Sequence, residues 1–341
     1  MIIILISIFI IFSLIAFIPI SNKKVREVIL YCMAFVLILI SAFRGAGVDR
    51  DYNDYVQYFK DSDFQLVEPA FVIISRIIKL FTSNAVFLFL VFAFLGVSLK
   101  IKAIKQLSEL WLLCIVTYAS YFFILHEMTQ IRAGIASAFL LLCIKPIYER
   151  DWKKFLLFAF LAVSIHYSAL VILPFWFLSR KPYKFWLAIS IPLAYLVYFT
   201  HIDLIAQLPI PGIKEKIEIY KGLQDLGNDE WNKINVFNLL FLAKVAIFYF
   251  VLWKYDLISA KNKYTPILLK VFCISLVFFL IFATMPVIAF RLNELCGIVD
   301  IILIPSLFYA FKPTWFAKAI VIVIGLGLMF IILFYNKLIV S

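Results

Sequence analysis

The sequence predicts an all-α, polytopic membrane protein, a single transmembrane domain over residues 1–341 with about twelve transmembrane helices. A re-entrant or amphipathic helix and two outer loops, at about 44–68 and 201–234, complete the expected architecture. Three observations carry this reading. Hydrophobic residues make up 65% of the chain and the mean hydropathy is +1.05, far beyond a globular domain. The apolar runs repeatedly reach the length that crosses a bilayer. They are also apolar on every side, where the strands of a barrel would alternate with polar residues.

The first run, Ile2 to Ile20, has no basic residue before it and no small-residue cleavage site after it, so it reads as a retained span. Lys23, Lys24 and Arg26 then mark the cytoplasmic side. Glu27 to Phe43 returns outward and delivers a net acidic loop, in which Asp49, Asp51, Asp54, Asp61, Asp63 and Glu68 outnumber Arg44, Arg50 and Lys60. Pro69 to Phe81 is too short to span and carries Ser75, Arg76 and Lys79 at helical spacing, which suits a helix lying at the outer surface. Asn84 to Leu99 crosses inward, and Lys100, Lys102 and Lys105 are read as its cytoplasmic flank.

Leu110 to Leu125 crosses outward and runs into HEMTQIRAGIA, His126 to Ala136, where a histidine, a carboxylate, an amide and an arginine interrupt two apolar runs. The next helix descends to Lys145 and the basic KPIYERDWKK loop. Phe155 to Leu178 reads as a hairpin broken at His166 and Tyr167, because a single crossing would put Arg180, Lys181 and Lys184 outside and reverse every later loop. Phe185 to Thr200 goes out to a second acidic loop, His201 to Lys233, containing PIPG and LGNDEW. Asn235 to Trp253 returns to Lys254, Lys261 and Lys263; Ile267 to Thr284 goes out; MPVIAFRLNEL turns; Cys296 to Phe311 comes back to Lys312 and Lys318; Ala319 to Tyr335 crosses last. A net charge of +12 concentrated in short loops is the signature of cytoplasmic connections, so no nucleic-acid partner is expected. The five cysteines show no paired spacing and read as packing residues.

Ionisable groups at membrane depth cost at least a few kcal/mol and persist where they face a cavity, a partner or a substrate. Arg44, His126, Glu127, Arg132, Arg291 and Glu294 all fall at the outer ends of spans, and His166 joins them at the hairpin apex, so one outward-facing site is the simplest account. Arginine grips phosphate oxygens bidentately, which suits a lipid-linked phosphate or pyrophosphate. Asp49 and Asp51 are candidate bases, and Tyr52, Tyr55, Tyr58 and Phe59 offer flat faces to sugar rings. Plainer readings stand beside these. Arg44 can snorkel from a helix end, Arg132 can form a structural pair with Glu127, and His126 and His166 can be satisfied interior histidines. Gly45 and Gly47 permit close backbone approach, and Lys244 can pair structurally with Asp300 across helices. No HxxxH spacing supports a metal site, and neither metal nor cofactor is expected.

Arg44 with GVDRDYNDYVQYF, Glu68-Pro69 with AFVIISRIIKLF, HEMTQIRAGIASAFLLL, SIHYSALVILP and FRLNELCGIVDIILIP, in this order from about Phe43 to Pro305, together resemble the EpsG-type family of membrane polysaccharide polymerases. That family is grouped functionally with the Wzy O-antigen and capsule polymerases. The resemblance implies an inverting, metal-independent glycosyltransferase at the outer, periplasmic or exterior face of the bacterial cytoplasmic membrane. It would transfer a growing glycan from undecaprenyl pyrophosphate to another lipid-linked oligosaccharide repeat unit within the lipid bilayer, with a chain-length regulator protein as a conceivable partner. Mapped onto this chain, Arg132 and Arg291, with Arg44 third, would take the pyrophosphate. Asp49 or Asp51 would be the base, with Glu127, His126 and His166 as alternatives, and Tyr52, Tyr55, Glu68, Gln130 and Glu294 complete the expected substrate-binding set. Two other classes compete: a lipid-linked oligosaccharide flippase or other transporter, which needs polar groups through the whole membrane thickness, and an O-antigen ligase or membrane acyltransferase, the latter opening a catalytic histidine toward the cytoplasm or a tunnel.

Overall fold

A computed structural model describes residues 1–61, 68–200 and 234–339. Among these, regular structure is helical throughout apart from one isolated antiparallel bridge between Asp49 and Ile339. The helices are α1 (Ile2–Phe17), α2 (Lys23–Ala42), α3 (Tyr52–Lys60), α4 (Pro69–Lys79), α5 (Val86–Leu107), α6 (Trp111–Ser120), α7 (Ile131–Glu149), α8 (Trp152–Ile165) and α9 (Lys184–Phe199). After the second undescribed segment come α10 (Leu239–Trp253), α11 (Tyr255–Ser259), α12 (Thr265–Ile281), α13 (Pro286–Gly297), α14 (Asp300–Ser306) and α15 (Thr314–Phe330). A π-helical turn, Phe123–Thr129, joins α6 to α7, and a 3₁₀ helix, Tyr167–Phe177, follows α8.

Four helical stretches, Lys23–Ala42, Val86–Leu107, Ile131–Glu149 and Thr314–Tyr335, are long and apolar enough to cross a bilayer unaided, and α6 with its π turn, bent by 63°, makes a fifth if taken as one broken span. The expected total of about twelve crossings rests on shorter apolar helices of 10–17 residues.

The described connections gather at two ends of the bundle, and the ties between them say which segments share an end. At one end Arg180 donates to the Tyr148 carbonyl (2.6 Å), Asn262 to the Leu107 carbonyl (2.8 Å) and Lys318 to the Ala16 carbonyl (2.9 Å), so the basic connections lie together. At the other end Arg50 reaches the Asn336 carbonyl, Asp49 bridges Ile339, Gln130 meets Glu294 and His166 meets Glu68. The expected hairpin forms. His166 takes an extended conformation (φ −152°, ψ 115°), ends α8 and turns the chain into the 3₁₀ helix. Arg150, ahead of α8, then donates to the carbonyls of Trp176 (2.5 Å) and Leu178 (2.6 Å), which fixes both limbs at the basic end.

Three expectations need correction. Lys100 does not flank a cytoplasmic loop: α5 continues to Leu107 and Lys100 is fully buried inside it. The first acidic segment is not all loop, because Tyr55 and Phe59, one helical turn apart, turn inward and fold its middle into α3. Arg132 pairs with Glu68 and not with Glu127. The outer-surface helix forms as α4, with Pro69 in its first turn and Phe71, Ser75 and Ile78 inward. Gly47 adopts φ +81°, a turn conformation that glycine alone takes without strain, whereas no side chain or backbone crowds Gly45 or Gly47. Asp63 and the PIPG and LGNDEW motifs lie outside the described residues.

Candidate functional site

The stretch from His126 to Arg132 divides between two environments. Its first half is sealed. Glu127 receives the Lys100 ammonium at 2.6 Å, and Lys100 also donates to the Gly134 carbonyl at 2.7 Å. Ser41 on α2 donates to the Glu127 carbonyl at 2.6 Å. A Cβ on Gly96 would stand 2.6 Å from Glu127 Oε1, and one on Gly134 would stand 3.1 Å from the His126 carbonyl. The π turn is therefore packed closely between α5 and α7 at two positions where a methyl would crowd it. His126 is fully buried, with Nδ1 3.1 Å from the Ser137 hydroxyl.

The second half opens outward. Gln130 ends the π turn and α7 begins at Ile131, which sets Arg132 in its first turn. Arg132 pairs with one oxygen of Glu68, and His166 Nδ1 lies 2.9 Å from the other. A carboxylate just ahead of α4, an arginine on α7 and the apex of the hairpin thus meet at one point. Burial alone would raise the Glu68 pKa, but the hydrogen bond with His166 and the Arg132 charge outweigh it and hold it down to about 2, so this carboxylate is ionised. The Arg132 guanidinium also faces the rings of Tyr55, Tyr58 and Phe71, at 5.6, 5.8 and 5.8 Å. Burial, opposed by the Arg132 charge, pushes the Tyr55 phenol up to about 12, which keeps it a neutral hydroxyl.

Arg44 and Asp49 form a separate pair. Their side chains are wholly enclosed, with Nε 2.7 Å from the carboxylate, and Arg44 also donates to the Ser41 carbonyl and lies 4.1 Å over the Phe89 ring. Tyr52 stacks on the same Phe89, at 4.7 Å. Burial pushes the Asp49 pKa up while Arg44 opposes it. Asp51, two residues on, is part-exposed at the start of α3 and within electrostatic range of Tyr55 and of Glu294.

A cavity of about 580 Å³ with both polar and apolar side chains in its wall lies beside Gln130, bounded by α13, the start of α10 and the chain around Tyr335. Gln130 Nε2 donates to Glu294 at 3.0 Å, Arg291 is exposed on the same helix, and Arg50, Asn235 and Asn238 reach it from other segments. Of the candidates drawn from the sequence, Glu68, Arg132, His166 and Tyr55 meet in one cluster, Gln130, Arg291 and Glu294 line the cavity, and Asp51 is within electrostatic range of a member of each. Arg44, Asp49, His126 and Glu127 are enclosed in packing. Among the described residues no group of three or more His, Cys, Asp and Glu side chains comes together in a way that could hold a metal ion.

Sequence reasoning missed Arg50, Asn235 and Asn238 as cavity residues and Lys100 as the partner of Glu127. Arg50 counted there only toward loop charge. Asn238 did carry a signal, since it precedes an apolar run as an N-cap and accepts from Phe241 N at 2.9 Å. Lys244 and Asp300 do approach across helices, at 3.5 Å, deep in the bundle.

Residues 27–341 match the EpsG family. The chain belongs to the EpsG family. The resemblance drawn from its motifs is borne out over most of the sequence. Over 253 residues it is 28% identical to the amylovoran biosynthesis protein AmsC of Erwinia amylovora, covering 67% of each chain. No solved structure matches it.

Proposed function

We propose that this EpsG-family protein is a polysaccharide polymerase of the cytoplasmic membrane. It would join oligosaccharide repeat units carried on undecaprenyl pyrophosphate, at the face of the membrane away from the basic loops. The family and the amylovoran relative support polysaccharide biosynthesis. Loop charge supports the orientation, because basic connections favour the cytoplasm. The observation that carries the reaction is the cavity beside Gln130, lined by exposed Arg291, part-exposed Glu294 and Arg50, with Asp51 within electrostatic range of Glu294 and the Glu68–Arg132–His166 cluster beginning two residues beyond Gln130.

In this reading Arg291, with Arg50 beside it, neutralises the departing pyrophosphate, a role that mobile cationic side chains fill without a metal. Asp51 accepts the proton of the attacking sugar hydroxyl as the new glycosidic bond forms at the anomeric carbon and the bond to pyrophosphate breaks. Attack opposite the leaving group inverts that carbon. Asp49 is a poor base beside it, since its side chain is wholly enclosed whereas Asp51 is part-exposed. Glu68 fixes Arg132 and His166, buried Tyr55 backs the Arg132 guanidinium, and the part-exposed Tyr58 ring offers a face on which a sugar can rest. A transporter would need an open polar path through the bundle, whereas Lys100–Glu127 and Lys244–Asp300 are enclosed pairs.

The test is glycan length in cells that still make the single repeat unit. Arg291→Ala and Asp51→Asn are each expected to collapse the ladder toward single units, with a rate loss of about 100-fold or more. Ladders of unchanged length from normally inserted Arg291→Ala protein overturn the assignment of the leaving-group site.

A further inference from the structure

A second cavity, about 890 Å³, lies between the 3₁₀ helix, α9 and α12, and its wall is more apolar than that of the first. Side chains such as Val171, Phe175, Leu193, Val197 and Val277 line it. Its one cation, Lys270, is committed: the ammonium donates to the carbonyls of Ser179 (2.5 Å) and Lys181 (2.6 Å) at the basic end of the bundle. From Lys270 to Ile281 the groove follows α12 for about 16 Å, at 1.5 Å per residue. An apolar slot of this length inside a membrane bundle accepts a hydrocarbon chain lying along the bilayer normal.

Continuity with the first cavity says which chain. Toward the end away from Lys270 a run of rings leads from the slot to that cavity: Tyr195, next to Ala194 of the slot lining, lies against Phe241, Phe241 stacks at 4.6 Å on Phe279, next to Phe278 of the slot lining, and Phe279 meets Phe290 at 5.4 Å. Phe290 itself walls the first cavity next to Arg291. The 3₁₀ helix that forms the slot's other wall starts at Tyr167, directly after His166. A lipid whose headgroup sits at Arg291 therefore has its tail delivered to the mouth of this slot. We infer that the groove holds the polyprenyl tail of a lipid-pyrophosphate substrate, which rests on the polymerase reading for the identity of the headgroup.

The experiment uses the full chain in nanodiscs of phosphatidylethanolamine and phosphatidylglycerol, with a polyprenyl pyrophosphate bearing a benzophenone on its tail. After irradiation, adducts are expected on peptides covering 171–178, 186–197 and 270–281. Unlabelled polyprenyl phosphate is expected to compete them away, and excess phosphatidylglycerol is not. Ser190→Trp with Val277→Trp, which fills the slot, is expected to cut labelling about tenfold at an unchanged melting temperature. Adducts confined to other helices overturn the proposal, and so does equal competition by phosphatidylglycerol, since the slot would then be a general lipid seat. Unaltered labelling of the filled variant, with its fold intact, overturns it too. Labelling needs no glycan transfer, so a labelled groove with unchanged ladders in Arg291→Ala refutes the polymerase reading alone. Normal loss of ladders with an unlabelled groove refutes the groove alone.

Discussion

Glu127 and Glu68 are both largely buried carboxylates paired with a cation, and their surroundings make them different objects. Around Glu127 everything closes: Lys100 is fully buried, the Ser41 hydroxyl fixes the backbone, and Gly96 lets α5 press against the carboxylate. Around Glu68 the partners come from segments that end at the surface, and the Arg132 side chain keeps 21% of its exposure. Two buried charges in van der Waals enclosure hold a shape, whereas a pair with one open side can exchange a partner for a substrate. The contrast sorts the polar stretch at residues 126–132 into a scaffold half and a chemical half.

The largest effect expected from this contrast comes from breaking the enclosed pair on one side only. Lys100→Met strands the Glu127 carboxylate, and removal of one member of a buried pair costs about 3–5 kcal/mol. The double variant Lys100→Met with Glu127→Gln is expected to recover most of that loss, because no uncompensated charge is left. Unfolding in detergent, followed by the denaturant midpoint, measures both. Equal stability of the single and double variants means that water reaches Glu127 and that the enclosure is not real. Gly96→Ala is expected to cost less than Lys100→Met, since its new methyl would stand 2.6 Å from Glu127 Oε1 but 3.4 Å from the nearest carbon, so the carboxylate must shift yet keeps its charge partner.

Sequence reasoning found the stretch but not the division, and the reasons are physical. A histidine, carboxylate, amide and arginine within seven residues are visible as a break in hydropathy, and Arg291 and Glu294 stand out in the same way. Which of them face a cavity depends on helix rotation and on π-turn geometry, neither of which hydropathy encodes. Lys100 is not placed by hydropathy, because a lysine at the end of an apolar run looks the same whether it reaches a loop or turns inward to a carboxylate. The hairpin at His166 was legible, because loop charge on both flanks demanded an even number of passes. Residue pattern alone makes Glu68 one of many loop acids, and only the family resemblance singles it out, since its partners lie 64 and 98 residues away in sequence.

The next effect in size concerns Glu68 and acid. Its pKa of about 2 lies below the ordinary carboxylate value of 4.5. A lowered pKa adds stability that is complete above about pH 4.5 and is lost as pH falls toward 2. The full swing is on the order of 3 kcal/mol. Melting temperature in detergent between pH 6 and 3 is expected to fall for the native chain, and to fall less for Glu68→Gln. An identical fall in both would mean that the His166 and Arg132 contacts do not form in solution.

The smallest effect belongs to the pair with the better contacts. Lys184 on α9 lies 2.7 and 2.8 Å from the two oxygens of Asp256, closer than the 3.5 Å between Lys244 and Asp300. Distance alone would rank the first pair higher. Exposure reverses the order, because Lys184 and Asp256 keep 43% and 83% of their side-chain exposure while both members of the second pair keep 2%. In water each ion of the open pair is already well solvated, and such pairs contribute about 0–1 kcal/mol. Lys184→Gln is accordingly expected to shift stability by less than about 1 kcal/mol, and Lys244→Met, which strands the Asp300 carboxylate, by about 3 kcal/mol or more. Measured by the same denaturant midpoints, a loss from Lys184→Gln equal to that from Lys244→Met would show that contact geometry, and not enclosure, sets the strength of ion pairs in this bundle.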